Sequence, residues 1–185
     1  MSATRADDNN LIAEIVDGDK TAMRALVEKY KRKAYFLALG MVGNSDEAMD
    51  ISQEAFIRVF KSAKKFDQKQ KFFPWFYSII ANLCKDDLQR REKRDSKAVD
   101  LEESDFLLVD EGNPETKLIR KEEAAMIRKA LSELSFEDRE IIVLKHFRDM
   151  SYDEIAKLLN IPKGTVMSRL YYARKKLAKL CHELR

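Results

Sequence analysis

A chain of 185 residues has room for one ordinary domain or for two small ones. Five glycines and three prolines supply little turn material, and 36% charged residues with abundant Ala, Leu, Glu, Lys and Arg exclude a sheet-rich body and predict an all-α fold. The formal net charge of +3 is too small to mark a polyanion binder by its total, so any such affinity must come from where the charges sit.

In chain order, apolar residues recur at helical spacing from Leu11 to Arg94, with breaks near Gly18, Gly43 and the polar stretch Asp67 to Lys71, which predicts about four helices. Gly18 followed by Asp19 reads as a helix stop and a fresh N-cap, and Gly43, Asn44 and Ser45 repeat the signal before DEAMDISQEAFIRVF. In that segment Ile51, Ala55 and Val59 share a face, with Phe56 and Phe60 beside them. Pro74, in FFPWFYSIIANLCKDDLQRREKR, suits the first turn of a long helix, where a missing amide hydrogen costs nothing. This half, residues 1–95, is expected to form one small helical domain.

Residues 96–116 read as an acidic linker: between Ala98 and Thr116 lie seven acids and no base. Leu101, Phe106, Leu107, Leu108 and Val109 make it too apolar for a purely solvated spacer, so it either meets a partner or lies on its own domain. A second helical block begins near Asn113 and Pro114, and residues 117–185 form the second domain. Ser135 with Asp138, and Ser151 with Glu154, have the spacing of a capped first turn, in which the acid also meets the positive end of the helix dipole.

From Ser151 onward a short helix ending at Asn160, a turn through Ile161 and Pro162 and a longer helix give a helix-turn-helix layout. Ala156 faces the crossing, and Ile155, Leu159, Ile161, Val166 and Leu170 are spaced to fill the wedge. Val166, Leu170, Ala173, Leu177 and Leu180 form one apolar stripe on the longer helix. From Lys163 to Arg185 seven Lys or Arg residues stand against one Glu, a bias that suits a nucleic-acid face better than a merely solvated one. Gly164, Met167, Ser168, Tyr171, Tyr172 and Lys175 lie on the exposed arc and are expected to read bases in a major groove. Lys163, Thr165, Arg169 and Arg174 are expected on phosphates.

The helix after Pro74 joins Phe72, Phe73, Trp75, Phe76 and Tyr77 to Lys85, Arg90, Arg91, Lys93 and Arg94, a mixture suited to single-stranded nucleic acid, whose bases stack on rings while phosphates meet cations. Trp75, Ile79 and Leu83 at spacing four also fit a core stripe, so each ring is open to either role. The polar loop Asp67, Gln68, Lys69, Gln70, Lys71 before the helix, with Asn82 and Gln89 along it, favours nucleic acid.

Catalysis finds little support. His146 and His182 stand in no metal spacing, no Gly-rich phosphate loop occurs, and Asp86 and Asp87, adjacent on a helix, point away from a common centre. No metal, cofactor or catalytic residue is expected. Cys84 and Cys181, without a CxxC spacing, read as free thiols in a reducing compartment. The opening MSATRADDNN lacks the apolar segment of a signal peptide, and no run approaches the roughly 18 apolar residues of a membrane span, so a cytoplasmic protein without membrane insertion is expected.

DEAMDISQEAFIRVF, FFPWFYSIIANLCKDDLQRR and LSELSFEDREIIVLKHFRDMSYDEIAKLLNIPKGTVMSRLYYARKKL, in this order, resemble the extracytoplasmic-function group of the bacterial sigma-70 family from about Leu11 to Leu180. The resemblance implies a sigma factor that binds core RNA polymerase, through the β′ clamp helices and the β subunit, and directs promoter-specific initiation. It points to Asp50, Gln53, Glu54 and Arg58 for the clamp helices. It implies that Asp67 to Lys71 and Asn82, on the helix that carries Trp75, Lys85, Gln89 and Arg90, contact extruded bases of the minus 10 element, and that the third segment reads the minus 35 element as duplex. It further implies an acidic linker threaded through the polymerase channel and an anti-sigma partner. Met167 and the Tyr171–Tyr172 pair depart from the basic residues common there, so promoter sequence does not transfer from a relative. The competing reading is a free-standing dimeric regulator with a sensor front half, against which the aromatic and basic helix after Pro74 argues.

Overall fold

Helix α1, Ala3–Val16, ends where Gly18 takes a φ of +94°. The Asp19 amide then reaches the Glu14 carbonyl at 2.9 Å and the Gly18 amide reaches that of Ile15 at 3.1 Å, the paired bonds of a Schellman stop. Asp19 caps α2, Lys20–Val42, by accepting from the Thr21 amide at 2.7 Å and its hydroxyl at 2.5 Å. Those two donors hold the Asp19 carboxyl below the usual carboxylate range. Gly43, at φ +78°, closes α2, and Asn44 accepts from the Asp46 amide to start α3, Ser45–Ser62. A short 3-10 turn, Ala63–Lys65, leads through the 67–71 loop to α4, Phe72–Asp95. Pro74 sits in the first turn of α4, as its lost amide hydrogen requires.

In the second half, helix α5 covers residues 125–132 and α6 spans Phe136–Arg148. Helix α7, Tyr152–Leu159, and helix α8, Lys163–Glu183, follow. This computed structural model describes residues 3–95, 125–148 and 150–184, and among them every regular element is helical. The expected acidic linker, the start of the second block near Asn113 and Pro114, and Arg185 lie outside the described residues.

The described residues fall into two compact units, drawn from Met1–Ala38 with Glu47–Ala98 and from Leu39–Asp46 with Val99–Arg185. In the first, α4 turns Phe72, Phe76, Ile80 and Cys84 inward to full burial, and Tyr30 of α2 meets Phe72 and Phe76 edge-on, centroids 5.1 and 5.8 Å apart. Phe56 of α3 completes the cluster at 5.0 Å from Phe76. Each ring so placed contributes about 1.5–3 kcal/mol of apolar burial. In the second unit α6, α7 and α8 pack on one another around Ile141, Leu144, Ile155, Val166 and Leu170, all essentially solvent-free. Arg139 is buried there, and its guanidinium donates to the carbonyls of Leu131 at 2.7 Å, Ser132 at 2.7 Å and Leu134 at 3.0 Å, closing the end of α5.

Candidate nucleic-acid interfaces

The turn between α7 and α8 is built from local chemistry. Ser151 and Glu154 form a complete capping box: the Glu154 amide donates to the Ser151 hydroxyl at 3.2 Å, and the Ser151 amide to the Glu154 carboxylate at 2.8 Å. Asn160, at φ 53° and ψ 47°, is left-handed, and the Ile161 amide closes on the Ala156 carbonyl at 3.0 Å. Pro162, extended, then opens α8. Ser135 also caps as its spacing predicts, accepting from the Asp138 amide at 3.3 Å.

Helix α8 buries Val166, Leu170 and Ala173, while Leu177, Leu180, Leu159 and Ile161 are only half-buried, so the seam is tightest near the turn. On the far side Met167, Tyr171 and Tyr172 are 51, 63 and 60% exposed, an outlay of apolar surface that a helix serving only its own fold would not make. Gly164, Ser168 and Lys175 are exposed beside them, and a Cβ built on Gly164 meets nothing within 4 Å. Thr165 and Arg169 are half-exposed at the edge of this face. Lys163 is tied to Asp153 at 2.8 Å and Arg174 lies 3.0 Å from His146 Nε2, whereas Arg169 and Lys175 carry no ion pair among the described residues. Lys176, outside the expected set, is held by Asp138 at 2.5 Å.

On α4, Trp75, Ser78, Asn82, Lys85 and Gln89 follow one another at alternating spacings of three and four, and so occupy one helix face. All but Trp75 are exposed; Trp75 is half-buried, its ring 4.8 Å from that of Phe66. Of the aromatic run, Phe72, Phe76 and Tyr77 are core and Phe73 is half-buried, so Trp75 is the ring best placed on the open face. Arg90 is exposed and leans on Asp87 at 3.4 Å. The stripe begins where the 67–71 loop ends, and Asp67, Gln68, Lys69, Gln70 and Lys71 are all exposed. That loop is turned by the Gln70 amide on the Asp67 carbonyl at 2.9 Å and the Lys69 amide on the Asp67 carboxylate at 2.9 Å. Asn9 of α1, which the sequence reading did not select, donates to the Gln68 carbonyl at 2.7 Å and the Gln70 carbonyl at 3.2 Å. With its partners 59 and 61 positions away, no local pattern announces it.

On α3, Asp50 and Gln53 are exposed, and Glu54 pairs with Arg58 at 3.1 Å one turn on. Phe60, beside the stripe of Ile51, Ala55 and Val59, is 59% exposed, with Ile57 at 45% and Met49 at 47%. A helical projection accounts for it, since Ala48, Ile51, Ser52, Ala55, Phe56 and Val59 fill one arc and Phe60 falls beyond its edge. The three apolar side chains therefore surround Gln53. Among the described residues no group of His, Cys, Asp or Glu is placed to hold a metal, and no helix is long and apolar enough to cross a membrane.

A basic helix, seated on α7 and presenting its rings and cations outward, defines a helix-turn-helix DNA-binding protein. The comparisons with known proteins narrow the class. The Sigma-70 region 2 profile matches residues 26–94 and the Sigma-70 region 4 profile matches residues 124–177. The RNA polymerase sigma-H factor of Pseudomonas aeruginosa is 34% identical, over 98% of this chain and 97% of that one. The ECF RNA polymerase sigma factor SigW of Bacillus subtilis is 35% identical, covering 94% and 96%. The sigma-E factor of Escherichia coli is 31% identical over 90% of each chain. Two solved structures share the fold: CnrH in complex with the cytosolic domain of CnrY, with a TM-score of 0.68 at 23% identity over 96% of this chain and 98% of that one, and RpoE with the anti-sigma factor NepR from Bartonella quintana, at 0.65 and 23% over 85% and 94%. The chain belongs to the sigma-70 family, in its extracytoplasmic-function group, and its function is promoter-specific transcription initiation with RNA polymerase.

Proposed function

We propose that the chain divides this task among three surfaces and performs no chemistry of its own. Helix α3 docks on the β′ clamp helices through Asp50, Gln53, Glu54 and Arg58, with Ile57, Phe60 and Met49 supplying the apolar contact that polar residues alone would not. The 67–71 loop, Trp75, Asn82, Lys85, Gln89 and Arg90 receive the separated minus 10 strand. Gly164, Met167, Ser168, Tyr171, Tyr172 and Lys175 read the minus 35 duplex, with Lys163, Thr165, Arg169 and Arg174 on its phosphates. Residues 1–95 and 117–185 act as separate domains on an acidic linker, 96–116, that lies with the β subunit in the channel nucleic acid later occupies. The site of action is the cytoplasm, and an anti-sigma factor restrains the free protein; that RpoE was solved with the anti-sigma factor NepR supports this last point.

The observation that carries the reading is the stripe from half-buried Trp75 to exposed Gln89, continuous with a polar loop: a stacking ring followed by amide and cation suits an unpaired strand and has no use in a sensor domain. The test is reconstitution with core RNA polymerase on a genomic fragment library. Discrete transcription starts, with permanganate-reactive thymines at the minus 10 segment, are expected. A chain that does not associate with core enzyme, or that binds a palindromic operator tightly as a dimer without it, would overturn the reading.

A further inference from the structure

All five side chains of the 67–71 loop are exposed, so burial does not hold it in place. Its own bonds, from the Lys69 and Gln70 amides to Asp67, close the turn without attaching it to the body of the unit. Asn9 supplies an attachment to α1. Its Nδ2 carries two protons, and the two carbonyls that accept them, at 2.7 and 3.2 Å, belong to Gln68 and Gln70 on either side of Lys69. The amide can face them in one orientation only, because the flipped rotamer would set Oδ1 against two carbonyl oxygens.

The neighbouring residue of α1 supplies the other half of the anchor. Asp8 is buried, accepts from the Tyr30 hydroxyl at 2.6 Å and pairs with Lys29 at 2.7 Å. Tyr30 in turn packs on Phe72, the residue directly after the loop. Helix α1 therefore holds the loop by its middle through Asn9 and by its far end through Asp8 and Tyr30. The loop backbone is turned toward the protein while the side chains of Gln68, Lys69 and Gln70 stay in solvent.

We infer that Asn9 is a positioning residue for promoter opening, holding the 67–71 loop in the conformation that accepts an extruded minus 10 base and so sharpening base discrimination there. The inference rests on the reading of that loop given above. Its physical content is preorganisation: a tethered loop has less order to gain when the base arrives, and the discrimination it offers is realised in full.

The experiment compares Asn9→Asp, Asn9→Ala and a triple alanine substitution of Gln68, Lys69 and Gln70, each as full chain assembled with core RNA polymerase. The probe is fork-junction DNA made from a fragment that the unsubstituted holoenzyme selects, each single-stranded minus 10 base replaced in turn. Asn9→Asp keeps the volume and loses the donor, so it and Asn9→Ala should flatten the preference at one base position by about tenfold, the scale of one to two net hydrogen bonds. Core affinity and minus 35 preference should move by less than about twofold, with the unfolding midpoint near its original value because Asn9 is only half-buried. The triple variant should flatten the same position. If the triple variant does so and the Asn9 variants do not, Asn9 has no positioning role and the loop reading stands. If neither changes the preference, both fall. An effect of the Asn9 variants at a position the triple variant leaves intact would also overturn the inference.

Discussion

Salt dependence offers a quantitative test of α8 as a duplex-binding face. Each Lys or Arg that neutralises a phosphate of B-DNA contributes about −0.9 to the slope of log affinity against log salt, so Lys163, Arg169 and Arg174 together account for about −2.7. One such contact amounts to about a 3.5-fold change in affinity between roughly 50 and 200 mM salt. The structure makes the three unequal. Arg169 carries no ion pair among the described residues, while Lys163 has to leave Asp153 before it reaches a phosphate. Arg169→Ala should reduce the slope by about 0.9 and weaken all minus 35 sequences alike. Lys163→Ala should cost about twofold less affinity than Arg169→Ala, the discount of an exposed ion pair, and Asp153→Ala should tighten binding by about the same factor. Met167→Ala and Tyr171→Ala should keep the slope and change base preference. The assay is competition anisotropy of holoenzyme on a labelled minus 35 duplex across a salt series, reading differences from the unsubstituted protein so that other polymerase contacts cancel. An unchanged slope in both Arg169→Ala and Arg174→Ala would refute the assignment of this face to phosphates.

Three further outcomes follow from the packing. Arg139→Lys should lower stability by about 3 kcal/mol in urea unfolding, since an ammonium cannot span the carbonyls of Met41, Leu131, Ser132 and Leu134 that the planar guanidinium serves and leaves some of them buried and unpaired. A midpoint within error of the original would show that the clasp contributes nothing. Phe60→Ala should change folding stability by less than about 0.5 kcal/mol, because the ring is already mostly in solvent. It should nevertheless weaken association with core polymerase several-fold in a pull-down titration; equal binding would remove Phe60 from that surface. Asp19 binds its proton below the ordinary carboxylate range, so its cap on α2 is fully present above that range and is lost as pH falls through the depressed value. Asp19→Asn keeps a capping oxygen without the titration, and should flatten the acid limb of α2 stability followed by hydrogen exchange.

Short-range chemistry was plain in the amino-acid order. Gly18, Gly43 and Asn160 interrupt helices at the positions where the backbone turns left-handed, because few residues tolerate that conformation. Ser151 with Glu154 and Pro74 mark helix starts for reasons settled within one turn. The apolar stripe of α8 and the one-sided charge opposite it are periodic, and a helix places periodic residues on a face whatever surrounds it. Three motifs in the right order were enough to suggest the family, and the comparisons bear that out.

Tertiary packing decided what periodicity leaves open, namely which arc of each helix is covered and which distant groups meet. Phe56 and Phe60 both stand beside the Ile51, Ala55 and Val59 face, and only packing decides that the covered arc of α3 takes in Phe56 and stops short of Phe60. Asn9 reaches a loop 59 positions away, and Arg139 clasps carbonyls at the end of α5; neither partner stands in a local spacing that sequence could display. The loop-anchoring contact and the ion pairs of Lys163 and Lys176 on α8 both depend on groups brought together by burial of apolar faces elsewhere. A hydrophobic pattern specifies how much surface must leave water and along which stripe, while the identity of the polar atoms that meet at the rim follows only once those stripes have packed.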